Sequence, residues 1–188
     1  MLKPYHELDC PNQETISAKV LEYLQPYLNS LPDKEIELWH KLNTIELIKA
    51  VPELVQWFKN FNLIIKECSI TIVKEKKNVL LHIDELPVVA KVIFPILNTA
   101  GSYNLWYHVP ENILREIPQV INHFGNKFYD LGKVDLNFCD EIGRIELTKP
   151  IVFNSQLPHA VELGPSAKMP RIVLACAFFK EPIDLLMS

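Results

Sequence analysis

The chain has 188 residues, 48% hydrophobic and 22% charged, which is enough for one folded domain with its own core. A net charge of −4 and a pI near 5.9 speak against nucleic acid or an anionic membrane surface as the main partner. No apolar run nears the roughly 18 residues of a membrane span, and the opening MLKPYHELDCPNQE lacks the apolar stretch of a secretory leader.

Residues 1–14 show no hydrophobic period and are expected to be irregular. Over Thr15–Leu28, the residues Ile16, Val20, Leu21, Leu24 and Leu28 recur near helical spacing. Thr15 or Asn12 can cap this helix, and Pro26 is expected to kink or end it. Thr44–Phe58 is a second amphipathic segment with Leu47, Ile48, Val51, Leu54, Val55 and Phe58 on one side, and Pro52 is placed to divide it. Trp39 and Trp57 read as packing residues.

From Phe61 the texture changes. Leu63–Val73 alternates apolar and polar residues in its second half, the period of a strand. Val79–Asp84, Val88–Leu97, Ser102–His108, Val134–Phe138, Gly143–Leu147, Ile151–Asn154, His159–Leu163 and Arg171–Phe179 read as further short strands. Asn112–Phe124 reads as a short helical insert weakened by Pro118. Fourteen prolines against five glycines suit many short strands joined by fixed loops. Helices followed by strands predict a mostly β fold with flanking helices (α+β): a double-stranded β-helix, or jelly roll, with N-terminal helices packed outside. One domain is expected, with helical support over 1–60, the jelly-roll core over 61–180 and a tail over 181–188. The four cysteines are far apart and form no CxxC. Cys68 and Cys176 lie in apolar runs and read as buried hydrophobes, so a reducing, cytoplasmic setting is expected.

The chemistry-bearing stretch is His82-Ile83-Asp84. In an extended chain, residues two apart share a face, so the imidazole and the carboxylate project together. One nitrogen and one oxygen donor make two-thirds of a 2-His-1-carboxylate metal set. The alternative is a half-buried strand histidine paired to a carboxylate. A third ligand must come from another strand. His6 and His40 fall in the part read as helical and His123 in the insert, which leaves His108 and His159. His108 sits before Val109-Pro110 and reads as a surface residue, whereas His159 opens a strand after a turn. Arg171 stands twelve residues later, at the head of the apolar RIVLACAFF. Either it pairs with a protein carboxylate such as Glu162, or its planar donor fork grips the carboxylate of a ligand.

His82-x-Asp84, His159 and Arg171 together resemble the HxD…H…R signature of the Fe(II)/2-oxoglutarate-dependent dioxygenases, over residues 61–180. AKVIFPILNTAGSYNLWY (90–107) and FNSQLPHAV (153–161) are similar to stretches of small members of that superfamily. The resemblance implies Fe(II) held by His82, Asp84 and His159, with 2-oxoglutarate and O2 as co-substrates. Arg171 would hold the distal carboxylate of 2-oxoglutarate, which would leave as succinate and CO2. Many relatives carry Arg-x-Ser, and here position 173 is Val, so a second contact must come from elsewhere. Tyr103, Tyr107 and Lys91 are candidates. On 102–108, Tyr103, Leu105 and Tyr107 share one face while Asn104, Trp106 and His108 share the other, and which face looks inward is open at this stage. Lys91 interrupts an apolar strand and either lines the pocket or snorkels from an edge. Asn98 reads as turn chemistry. The expected activity is hydroxylation of a small molecule or a protein side chain. The rival readings are a cupin-type metalloenzyme that does not use 2-oxoglutarate and a non-catalytic jelly-roll binding module.

Overall fold

The computed structural model describes residues 2–31, 37–84, 88–121 and 127–187. Twelve strands are found among them: β1 (Tyr5–Glu7), β2 (Glu37–Lys41), β3 (Ile65–Val73), β4 (Val79–Asp84), β5 (Ala90–Leu97), β6 (Ser102–His108), β7 (Gln119–Ile121), β8 (Lys127–Asp130), β9 (Asp140–Glu146), β10 (Ile151–Asn154), β11 (His159–Leu163) and β12 (Arg171–Phe178). They form two six-stranded sheets, ordered β1-β10-β5-β12-β3-β2 and β7-β8-β4-β11-β6-β9. Every pairing is antiparallel. This is the jelly roll read from the sequence, with the sheets stacked face to face.

Helices α1 (Gln13–Ser30), α2 (Thr44–Ala50) and α3 (Pro52–Lys59) cover the first sheet. Ile16, Val20 and Leu24 of α1, with Leu47, Leu54, Trp57 and Phe58, pack on alternate residues of β3, β5 and β12: Ile70, Ile72, Val92, Phe94, Ile172 and Leu174. The indole Nε1 of Trp57 donates to Asp9 O at 3.0 Å. Cys68 and Cys176 face each other across β3 and β12 within this core, their Sγ atoms 3.7 Å apart.

Pro52 divides α2 from α3 as expected, because a proline is tolerated at a first helical position. Asn43 caps α2, its side chain accepting from Glu46 N at 3.3 Å. Pro26 does not end α1, which continues to Ser30. Pro26 and Glu22 are exposed, so water can satisfy the carbonyl that the missing N–H leaves open. Asn12 stands at the N-cap position without a side-chain cap bond.

Other expectations are corrected. Residues 1–14 are not wholly irregular, and 1–60 is not purely helical, because β1 and β2 are edge strands of the first sheet. His6 and His40 therefore lie on strands, with His40 stacked on Tyr27 at 4.3 Å. Trp39, on the edge strand β2, is only half-buried. The expected strand at 134–138 is a 3-10 turn over Leu136–Phe138, in which Asp135 Oδ1 accepts from Asn137 N at 2.9 Å and takes up the backbone donor a strand would use. The insert is a one-turn helix, α4 (Glu111–Leu114), followed by β7. The remainder of that expectation, residues 122–124 with His123, lies outside the described residues. Strand β8 was not anticipated.

Candidate metal centre

The first two ligand candidates end β4 and the third begins β11, its neighbour in the second sheet. His159 is the direct cross-strand partner of His82. Between His159 and Val161 the register slips: His159 faces His82 but Val161 faces Val79. A bulge of this kind re-aims side chains beside a site. The two rings lie 4.3 Å apart. His82 Nε2 is 3.8 Å from Asp84 Oδ1 and His159 Nε2 is 3.9 Å from Asp84 Oδ2. One donor atom from each of the three residues falls within 4.8 Å of the others.

The proton positions favour a cation. His82 Nδ1 is 2.8 Å from Leu80 O, and His159 Nδ1 is 2.8 Å from Leu157 O. A carbonyl can only accept, so each Nδ1 donates and each Nε2 is the ring atom left towards the centre. Burial, helped by the neighbouring His82 charge, pushes His159 down to about 3 from its ordinary 6.5, which keeps the imidazole neutral. Burial works to raise the Asp84 carboxyl, but the Lys91 ammonium and the two histidines outweigh it and hold the group well below the usual carboxylate range. Two imidazoles and one carboxylate form a donor set suited to Fe(II), Mn, Co or Ni, so the residues fit such an ion. Phe153 meets His159 edge-on at 4.7 Å and Phe128 meets His82 at 6.1 Å, an apolar surround that limits water.

Arg171 opens β12 in the opposing sheet and is 2% exposed. Its Nε donates to Ser102 Oγ at 2.9 Å, a bond that joins the two sheets. Glu162 instead meets Arg144 at 3.2 Å, so the Arg171–Glu162 alternative does not hold. Lys91, on β5, is brought to the centre, where its ammonium pairs with Asp84 Oδ2 and lies 5.4 Å from the Phe153 ring centroid.

The two tyrosines are not brought there. Ser102 reaches Arg171, and Trp106 packs with Ile93, Phe153 and Val173 between the sheets. The alternate residues Tyr103, Leu105 and Tyr107 therefore point out of the barrel. Tyr107 packs with Leu81 and Leu105, and Arg144 lies over the Tyr103 ring at 5.7 Å. Strand alternation leaves the choice of inward face to the partner sheet, and that sheet places Tyr103 and Tyr107 on the outer face. The inward polar residues are Ser102 and Asn104, and their only signal in the sequence was two polar side chains at even spacing in an otherwise apolar strand. His108 is exposed at the end of β6. Asn98 sits in a turn at φ +52° and donates to Pro170 O at 2.9 Å.

Two antiparallel sheets closing over a His-Asp-His group define a double-stranded β-helix with a candidate metal centre. No protein-family model and no curated protein sequence matches the chain. Solved structures do resemble it. It is similar to HygX from Streptomyces hygroscopicus, crystallised with nickel and 2-oxoglutarate, at 10% identity and a TM-score of 0.52, covering 93% of this chain and 82% of that one. It is similar to SnoK, a non-haem alpha-ketoglutarate-dependent carbocyclase from nogalamycin biosynthesis, at 16% identity and a TM-score of 0.57, covering 93% and 79%. The non-haem monooxygenase ThoJ, in its apo form, matches at 11% identity with a TM-score of 0.50, covering 93% and 73%. At these identities the likeness is one of fold. Among the described residues, no helix is long and apolar enough to cross a membrane.

Proposed function

We propose that this chain is an Fe(II)/2-oxoglutarate-dependent oxygenase. It hydroxylates a small molecule or a protein side chain while 2-oxoglutarate is oxidatively decarboxylated to succinate and CO2. The observation that carries the reading is the convergence of His82, Asp84 and His159 from two neighbouring strands, with both Nδ1 atoms tied to backbone carbonyls and both Nε2 atoms turned to one point. The HxD…H…R order in the sequence and the fold shared with HygX and SnoK support it.

In this reading the three side chains hold the iron, which with 2-oxoglutarate and O2 supplies the oxidative chemistry when bound. The chain supplies geometry and shielding. Leu80 O and Leu157 O fix the two imidazole tautomers. Lys91 holds one Asp84 oxygen and so limits how the carboxylate can turn. Arg171, fixed through Nε to Ser102, directs a cationic fork between the sheets for the distal carboxylate of the co-substrate. Phe153 and Trp106 wall the space. The protein works in the cytoplasm, on a substrate that is neither nucleic acid nor membrane. The acidic pI and four free cysteines support this.

The test is an anaerobic titration with Fe(II) and then 2-oxoglutarate, watched for the visible charge-transfer band of the chelate. The band is expected. Tight Fe(II) binding without it would point to a cupin-type metalloenzyme that does not use 2-oxoglutarate. Loss of both would leave a binding module.

A further inference from the structure

Three residues of β6 line the interior in successive rows. Trp106 lies opposite His159, Asn104 opposite Val161 and Ser102 opposite Leu163. Same-face neighbours on a strand stand about 6.8 Å apart. Asn104 therefore lies midway between the level of the histidines and the level at which Ser102 holds Arg171. The residue is 3% exposed, and its Nδ2 is shut off from solvent with no hydrogen-bond partner among the described residues. Buried amide donors are almost always paired, so an orphan between two candidate binding groups calls for an explanation. Val173, two residues beyond Arg171 on β12, is buried between the sheets and has no hydroxyl to offer.

We propose that Asn104 Nδ2 is a binding donor for the 2-oxo acid, giving its hydrogen bond to an oxygen of 2-oxoglutarate extended between the metal centre and Arg171. The proposal rests on the oxygenase reading. An amide suits this position because it is neutral and always carries its protons. It adds a directed donor without placing another cation beside Lys91 and Arg171. The orphan is then the ligand-free half of a contact that binding completes.

The test is anaerobic calorimetry of 2-oxoglutarate against the full chain loaded with Mn(II), comparing wild type with Asn104→Leu and Asn104→Asp. Leu keeps the branching at Cγ and removes the donor. It is expected to weaken 2-oxoglutarate at least tenfold and to leave Mn(II) affinity within twofold. It should also raise the ligand-free melting temperature, because an unpaired buried donor has been replaced by an apolar group. Asp sets a carboxylate against the ligand and is expected to weaken binding further. Equal 2-oxoglutarate affinity in wild type and the Leu variant would overturn the assignment and leave a trapped water as the amide's partner. A lowered ligand-free melting temperature with unchanged affinity would do the same. If Asn104→Leu fails to fold, Asn104→Asp alone decides, and undiminished affinity there overturns the assignment. A wild type that takes up Mn(II) but no 2-oxoglutarate would defeat the oxygenase reading, and this proposal with it.

Discussion

On β12, Ile172, Leu174 and Cys176 point one way and Arg171 and Val173 the other, and the two sides meet different company. The first set, with Phe94 of β5 and Ile70 of β3, faces the helices in a dry core of aliphatic and aromatic side chains. The second faces the other sheet, where Arg171, Ser102 and Asn104 sit buried among Ile93, Phe153 and Trp106. One strand thus serves two purposes at alternate residues. The helix side supplies the hydrophobic free energy, and the inner side can then carry buried polar groups that cost stability unless they are satisfied. Fold and site should be separable by mutation.

The largest effect is expected at the inner side. His82→Ala should abolish Fe(II) or Mn(II) binding, read by anaerobic calorimetry, while the metal-free urea midpoint changes little. Retained metal affinity would remove the centre from His82. On the helix side, Leu174→Ala should destabilise by about 2–5 kcal/mol, the usual cost of a leucine-sized cavity. The folded protein should keep its 2-oxoglutarate affinity, and a loss of that affinity would mean that the two faces are coupled. Next comes Arg171→Met. It should weaken 2-oxoglutarate by about 10–100-fold, as expected for a charge-assisted hydrogen bond worth roughly 1.5–3 kcal/mol, and spare the metal. Equal affinity in the variant would assign Arg171 to structure alone.

The smallest effect is in pH. An unfolded chain protonates His159 near its ordinary 6.5, while the folded protein holds it neutral down to about 3. The unfolded state therefore binds more protons in that interval. Metal-free stability should fall as pH drops from 6.5 towards 3, at up to about 1.4 kcal/mol per pH unit from this one group. Above 6.5 the group adds no slope. Asp84, depressed as well, adds a further loss at still lower pH. Urea midpoints of wild type and His159→Gln across this range should diverge in slope, and parallel slopes would show that His159 is not buried as a neutral base.

Much of the candidate site was legible because its signals are local. Two candidate ligands two residues apart on a strand share a face wherever that strand ends up. The turn ahead of His159 and the guanidinium in an apolar strand each called for a partner. Most core strands were legible for the same reason, since a period of two or 3.6 is written in neighbouring residues. The unread strands β1, β2, β7 and β8 all lie at or near sheet edges, and β1 and β7 are three residues long. They are strands because a neighbour offers hydrogen bonds, and the pattern of their own residues does not show it.

By itself, then, the sequence determined the jelly roll, the helices on one side, and the grouping of Tyr103 with Tyr107 and of Asn104 with Trp106. Tertiary structure alone decided which of those two faces of β6 looks inward, that Lys91 meets Asp84, and that Asn104 is left with a donor unpaired among the described residues. The physical reason is that alternation fixes which side chains travel together, but only the opposing sheet, paired through residues far away in the chain, supplies the groups they meet.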